Sequence, residues 1–179
     1  MKYGSIEDIV LLGGGELLRQ ICLWATSESI PIKVVTAPRQ AEEVLDGESL
    51  EGFLSRHEIN HLVVDKISDE SAKKFIGDTS KSFCLSLGAA WIFKAEIISS
   101  YFDNKLFNLH GTRLPQNRGG GGHSWHIMMG NKLGFCVLRI WQWHLQFLLV
   151  LEELTGGALS FSGLINHFVV KRILFQTSQ

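Results

Sequence analysis

The chain has 179 residues, room for one ordinary domain. Its 45% hydrophobic and 20% charged content is globular rather than disordered, and a net charge of -1 excludes nucleic-acid binding through a basic face. Three cysteines, Cys22, Cys84 and Cys136, are an odd count with no C-x-x-C, which argues against a disulfide framework or a cysteine-built zinc site and fits a reducing cytoplasm.

Residues 8–12 (D-I-V-L-L) are a short apolar run stopped by three glycines, the pattern of a buried parallel strand. From 16 to about 25, Leu17, Leu18, Ile21, Cys22 and Ala25 recur at helical spacing. Pro31 breaks the chain, and 32–36 (I-K-V-V-T) reads as a second strand. Residues 40–45 and 50–57 read as two short helices separated by Gly47. A third strand is predicted at 61–64, a helix at 72–76 and a fourth strand at 82–87, stopped by Gly88. A helix at 94–101 has Ile97, Ile98 and Tyr101 on one side, and a fifth strand follows at 106–109. The alternation predicts an α/β fold, a doubly wound and mainly parallel sheet with helices on both faces. Ligands of such sheets sit at the carboxyl ends of the strands, so the loops at 13–15, 88–93 and 110–122 are the candidates.

Residues 134–140 read as a further strand, and the character of the chain changes near there. No proline lies beyond Pro115 and no aspartate beyond Asp103. From Trp141 the chain is rich in Leu and Phe, poor in charge and without strand-helix rhythm. Its most apolar run, 147–151, is far below the roughly 18 residues of a membrane span. Glu7 and Asp8 precede the first apolar stretch, against a signal peptide, so the expected compartment is the cytoplasm. Leu145, Phe147, Leu148, Val150 and Leu151 are expected either to cover a sheet face as a helix or to leave an exposed apolar patch.

Several motifs carry chemistry. Gly13-Gly14-Gly15 after a strand is how a doubly wound fold opens, but G-x-G-x-x-G needs a small residue where Leu18 stands. A tight turn explains the glycines better than a nucleotide cofactor. His57-Glu58-Ile59-Asn60-His61 fits H-E-x-x-H, yet His61 runs directly into Leu62-Val63-Val64, a strand, so the two histidines do not share a helical face. A helix end, a turn and a strand start are expected instead. His123 and His126 have no third ligand, and no metal is expected.

The informative segment is Phe107-Asn108-Leu109-His110-Gly111-Thr112-Arg113-Leu114-Pro115-Gln116-Asn117-Arg118-Gly119. Side chains alternate across a strand, so Asn108 and His110 face the same way at its carboxyl end. An amide donor there can stabilise an oxyanion, and an imidazole can move protons near neutral pH. The combination suits acyl or carbonyl chemistry; a polar loop after a strand is the plainer alternative.

The same segment, N-L-H-G-T-R-L-P-Q-N-R-G, resembles the N-x-H-x-S-x-L-P-x-x-R-G signature of the formyltransferases that use 10-formyltetrahydrofolate. Leu85-Ser86-Leu87-Gly88-Ala89-Ala90-Trp91-Ile92-Phe93 resembles their folate-pocket loop. The continuation G-G-G-G-H-S-W-H-I-M-M-G-N is nearest to the branch that formylates amino sugars on nucleotide carriers; the methionyl-tRNA branch continues differently. The resemblance covers about residues 8–138. It implies that Asn108 holds the formyl oxygen and that His110 moves or polarises a proton. It implies a folate contact for Leu87, Gly88, Ala89, Ala90, Trp91, Ile92, Arg118 and Gly119. The implied partners are the folate co-substrate and a nucleotide-linked amino sugar. A homodimer is left open, and neither nucleic acid nor membrane is expected. A methionyl-tRNA formyltransferase and a non-catalytic folate or nucleotide-sugar binding module are the competing readings.

One element of the resemblance is missing. The family's G-x-D-x-G aspartate, which orients the histidine, would fall near Trp141-Gln142-Trp143-His144, where no aspartate stands. Low or no activity is therefore expected. The chain is read as residues 1–140, formyltransferase-like, and 141–179, an atypical tail. A frameshift near codon 140 accounts for the joint loss of charge, proline and rhythm; a diverged, non-catalytic homologue is the alternative.

Overall fold

In a computed structural model of the chain, residues 6–110, 128–129, 134–140 and 146–151 are described. In chain order the elements are β1 (Asp8–Gly13), α1 (Glu16–Ser27), β2 (Ile32–Thr36), α2 (Pro38–Ala41), β3 (Val44–Leu45) and β4 (Glu48–Ser49). They continue as α3 (Leu50–Arg56), β5 (Asn60–Val63), α4 (Glu70–Ile76), β6 (Ser82–Leu87), α5 (Ala95–Phe102), β7 (Leu106–His110), β8 (Gly134–Ile140) and β9 (Gln146–Leu151).

The large sheet has the order β5-β2-β1-β6-β7-β8-β9. Its first five strands are parallel, and β8 and β9 are antiparallel to their neighbours. Leu11 of β1 lies level with Val34 of β2 on one side and Leu85 of β6 on the other. Alternation then sorts the side chains. Ile9, Leu11, Val34, Phe83, Leu85 and Phe107 face one way and are covered by α1 and α3, through Leu18, Ile21, Cys22, Phe53 and Leu54. Val10, Leu12, Val35, Cys84 and Leu106 face the other way and are covered by α4 and α5, through Ala72, Ile76, Ile98, Tyr101 and Phe102. Both faces are buried, which is why β1 and β6 read as near-continuous apolar runs instead of alternating ones.

The predicted α/β, doubly wound, mainly parallel architecture is the observed one, with an antiparallel edge. Two expectations change. The helix predicted at 40–45 is the single turn α2, started by Pro38 at its first position, and the chain then enters the β3–β4 hairpin. Asp46 and Gly47 both have positive φ, +54° and +80°, as a two-residue hairpin turn of mirror type requires. The Asp-Gly pair was the overlooked signal. In the region after Trp141, residues 146–151 form a strand paired to β8 rather than a helix.

Arg19 locks the hairpin onto α1. Its Nη1 donates to Glu16 Oε2 at 3.0 Å and to the Leu45 carbonyl at 3.1 Å, and its guanidinium lies 4.6 Å from the centre of the Phe53 ring. Ser49 caps α3 by accepting from the Gly52 N–H at 3.0 Å. The segment after β2 is thus fixed above the carboxyl ends of the strands.

Candidate functional site

The chain runs from β1 outward to β2 and β5 on one side, then crosses back to β6 and β7 on the other. The direction of winding reverses between β1 and β6, so the crevice outside their carboxyl ends is where this topology places a ligand. Three segments meet there: the glycine turn 13–15, the loop that follows Leu87, and the end of β7.

The first two touch through their backbones. Gly14 N–H donates to the Leu87 carbonyl at 3.2 Å. A Cβ on Gly13 would collide with the Leu87 carbonyl oxygen and stand 3.0 Å from the Ala89 nitrogen, and Gly13 has φ +133°. Only glycine allows that approach. This supports the tight-turn reading of the glycines. Leu18, where the dinucleotide pattern wants a small residue, is fully buried in the core under α1.

The sequence-predicted site residues fall into three groups. Asn108 and His110 are half-buried, two apart on β7. Leu109 between them packs on the α1/α3 face, so the pair points to the α4/α5 side of the sheet. Asn108 lies level with Ser86 of β6 across a parallel pairing, so Ser86 shares its face; that serine is 1% exposed. Ser86 was legible as the one polar residue inside the run Phe83-Cys84-Leu85-Ser86-Leu87 and was not singled out.

The second group is the loop. Leu87 turns its side chain into the core, leaving its backbone toward the crevice. Gly88 has φ +56° and is exposed, Ala89 is half-buried and Ala90 exposed. Trp91 anchors the loop: its Nε1 donates to the Asp65 carbonyl at 2.9 Å, and its ring meets Phe93 edge-on. Ile92 is 87% exposed beside it. The third group, Arg118 and Gly119, lies outside the described residues, as do His123 and His126.

The H-E-x-x-H histidines separate as expected. His57 ends α3 and packs at a tilt against Phe53 with ring centres 4.5 Å apart, Glu58 turns at φ +55°, and His61 sits in β5. His61 Nδ1 donates to the Ile59 carbonyl at 2.8 Å. Among the described residues no three His, Cys, Asp or Glu side chains converge as metal ligands. No described helix is long and apolar enough to cross a membrane. Burial pushes the thiols of Cys22 and Cys84 up to about 12, with Asp8 adding to the effect at Cys84, so both are neutral core groups.

No family model and no curated protein matches the chain by sequence. Solved structures do match by shape. The phosphoribosylglycinamide formyltransferase of Anaplasma phagocytophilum has a TM-score of 0.56 at 17% identity, over 83% of this chain and 75% of that one. WlaRD, a sugar 3N-formyltransferase solved with dTDP and 5-N-formyl-THF, has 0.55 at 19% identity, over 76% and 47%. The N-formyltransferase of Helicobacter canadensis, solved with folinic acid and dTDP-3-aminofucose, has 0.59 at 16% identity, over 83% and 54%. The match therefore spans about half the length of the two sugar enzymes. These matches give the chain the fold of the formyltransferases, an α/β sheet whose winding here reverses between β1 and β6.

Proposed function

We propose that the chain transfers a formyl group from 10-formyltetrahydrofolate to an amine carried by a nucleotide-linked sugar. The observation that carries this is the pair Asn108 and His110, on one face at the end of β7 and one strand from the loop at 87–92. In this reading Leu87, Gly88, Ala89, Ala90, Trp91 and Ile92 border the folate, and Arg118 and Gly119 complete its site.

The acceptor amine's lone pair attacks the formyl carbon. A carbon–nitrogen bond forms, and the bond to the folate nitrogen then breaks. The Asn108 amide N–H donates to the formyl oxygen as it gains charge; a donor so placed is worth about 10²–10³ in rate. The His110 imidazole takes the amine proton and returns one to the departing folate nitrogen. The family's G-x-D-x-G aspartate has no counterpart in residues 104–179, and low turnover is expected.

The sugar acceptor is supported by the resemblance of residues 119–131 and by fold neighbours solved with dTDP or a dTDP-sugar. Glycinamide ribonucleotide is the competing acceptor, because glycinamide ribonucleotide transformylases share the fold equally well. The missing aspartate favours a second reading, a module that binds folate or nucleotide sugar without reacting. The division at residue 140, with 141–179 as an atypical tail, and a cytoplasmic location remain part of the proposal.

The test is to incubate the chain with 10-formyltetrahydrofolate and either a dTDP-amino sugar or glycinamide ribonucleotide, and to follow the formylated amine by mass spectrometry. Slow formylation of the sugar is expected, lowered a further ~10²-fold by Asn108→Ala. Folate binding with no product establishes the binding module. No binding of folate refutes the formyl-transfer reading, and no binding of either folate or the dTDP-amino sugar refutes both.

A further inference from the structure

Gln40 belongs to no motif, yet it is where the two walls of the crevice are joined. Its Nε2 donates to the Gly88 carbonyl at 3.0 Å, across 48 residues of sequence. Its Cβ fills the space beside Gly14, where a Cβ on that glycine would stand 2.9 Å away. The side chain therefore lies over the glycine turn and reaches the first residue of the β6 loop. Gly88 has left-handed φ with open space where a Cβ would be, so crowding does not hold this turn in place. The Gln40 donor does so at Gly88, one residue beyond the backbone bond from Gly14 N–H to the Leu87 carbonyl. The other end of the same loop is held by Trp91 Nε1 on the Asp65 carbonyl, which leaves residues 88–91 tied at both ends. Gln40 Oε1 is buried and has no partner among the described residues. The amide keeps its donor toward Gly88 although its acceptor gains nothing, so the contact to Gly88 sets the orientation.

We propose that Gln40 is a positioning residue for the co-substrate. It fixes the β6 loop against the glycine turn and so preforms the folate side of the crevice. This rests on the reading that the loop at 87–92 borders folate. A loop already ordered loses less freedom when its ligand arrives, so removing the tie weakens binding without removing any ligand contact.

The experiment titrates 5-formyltetrahydrofolate, a stable analogue, into the wild-type chain and into Gln40→Met, which keeps the length and lacks the donor. Amide hydrogen exchange is measured on both without ligand. The expected result is an affinity about 3- to 10-fold weaker in the variant. Faster exchange at 88–91 accompanies it, with exchange in β1 and β6 unchanged. Gln40→Asn, whose amide is one methylene too short, gives the same result and serves if the methionine variant does not fold. Equal affinity and equal exchange in variant and wild type overturn the role of Gln40 while leaving the proposed function intact. A wild-type chain that binds no folate overturns the proposed function, and the role of Gln40 in folate binding with it.

Discussion

Replacing Gly13 by alanine tests whether the crevice depends on backbone contact between β1 and β6. The new methyl meets the Leu87 carbonyl head on, with the carbonyl carbon only 2.9 Å away. The carbonyl oxygen lies nearer still, so the Leu87 peptide must retreat by more than the roughly half ångström that its carbon alone would need. Overpacking of this kind costs about 1–3 kcal/mol. Holding an alanine at the φ of Gly13 costs about 1–3 kcal/mol more. Parting the strand ends also breaks the Gly14 N–H to Leu87 bond, about 1 kcal/mol. Gly13→Ala is therefore expected to destabilise by about 3–7 kcal/mol, a large share of the ~5–15 kcal/mol of a typical domain. Gly88→Ala is the control. Its φ is also positive, but nothing lies within 4 Å of the added methyl, so the effect is about 1 kcal/mol. The two variants should differ by about 2–6 kcal/mol, which moves a urea midpoint by roughly 1–3 M at a slope near 2 kcal/mol/M. Midpoints within about 0.3 M of each other would refute the claim that the two turns touch.

Three further outcomes follow from buried groups. Thr36 ends β2 fully buried, and its hydroxyl has no partner among the described residues; Thr36→Val should raise stability by about 1 kcal/mol, read as a higher thermal midpoint, and a loss of that size would mean the hydroxyl is satisfied. Cys22 and Cys84 should resist maleimide at neutral pH in the folded chain, checked by mass spectrometry of their peptides. Their ordinary value of 9.0 applies once the chain unfolds, against about 12 when folded, so the unfolded state loses protons first. Stability is then intact below pH 9 and falls between 9 and 12, by about 1.4 kcal/mol per pH unit for each thiol. Urea midpoints at pH 8 and 10 measure this, and Cys22→Ala with Cys84→Ala should flatten the slope.

The sequence by itself determined the alternation of strands and helices, because each element carries its own periodicity. The runs at 32–36 and 82–87 are strands with the predicted bounds, since strands covered on both faces are mainly apolar and short. It also placed Asn108 and His110 on one face, because a period of two is a local property. Local reading failed at 40–45, where the turn chemistry of Asp46-Gly47 outweighed a weak helical pattern, and at 146–151, where pairing with β8 decided the conformation. Only the tertiary structure decided which strands are neighbours, and hence that winding reverses between β1 and β6. The same is true of Gly13 against Leu87, Asn108 beside Ser86 and Gln40 on Gly88. These contacts join residues 22 to 74 positions apart, and no pattern within one segment encodes its distance to another. The facing pair Asn108 and His110 was legible because it sits on one strand, whereas the crevice beside it exists only once the strands have assembled into the sheet.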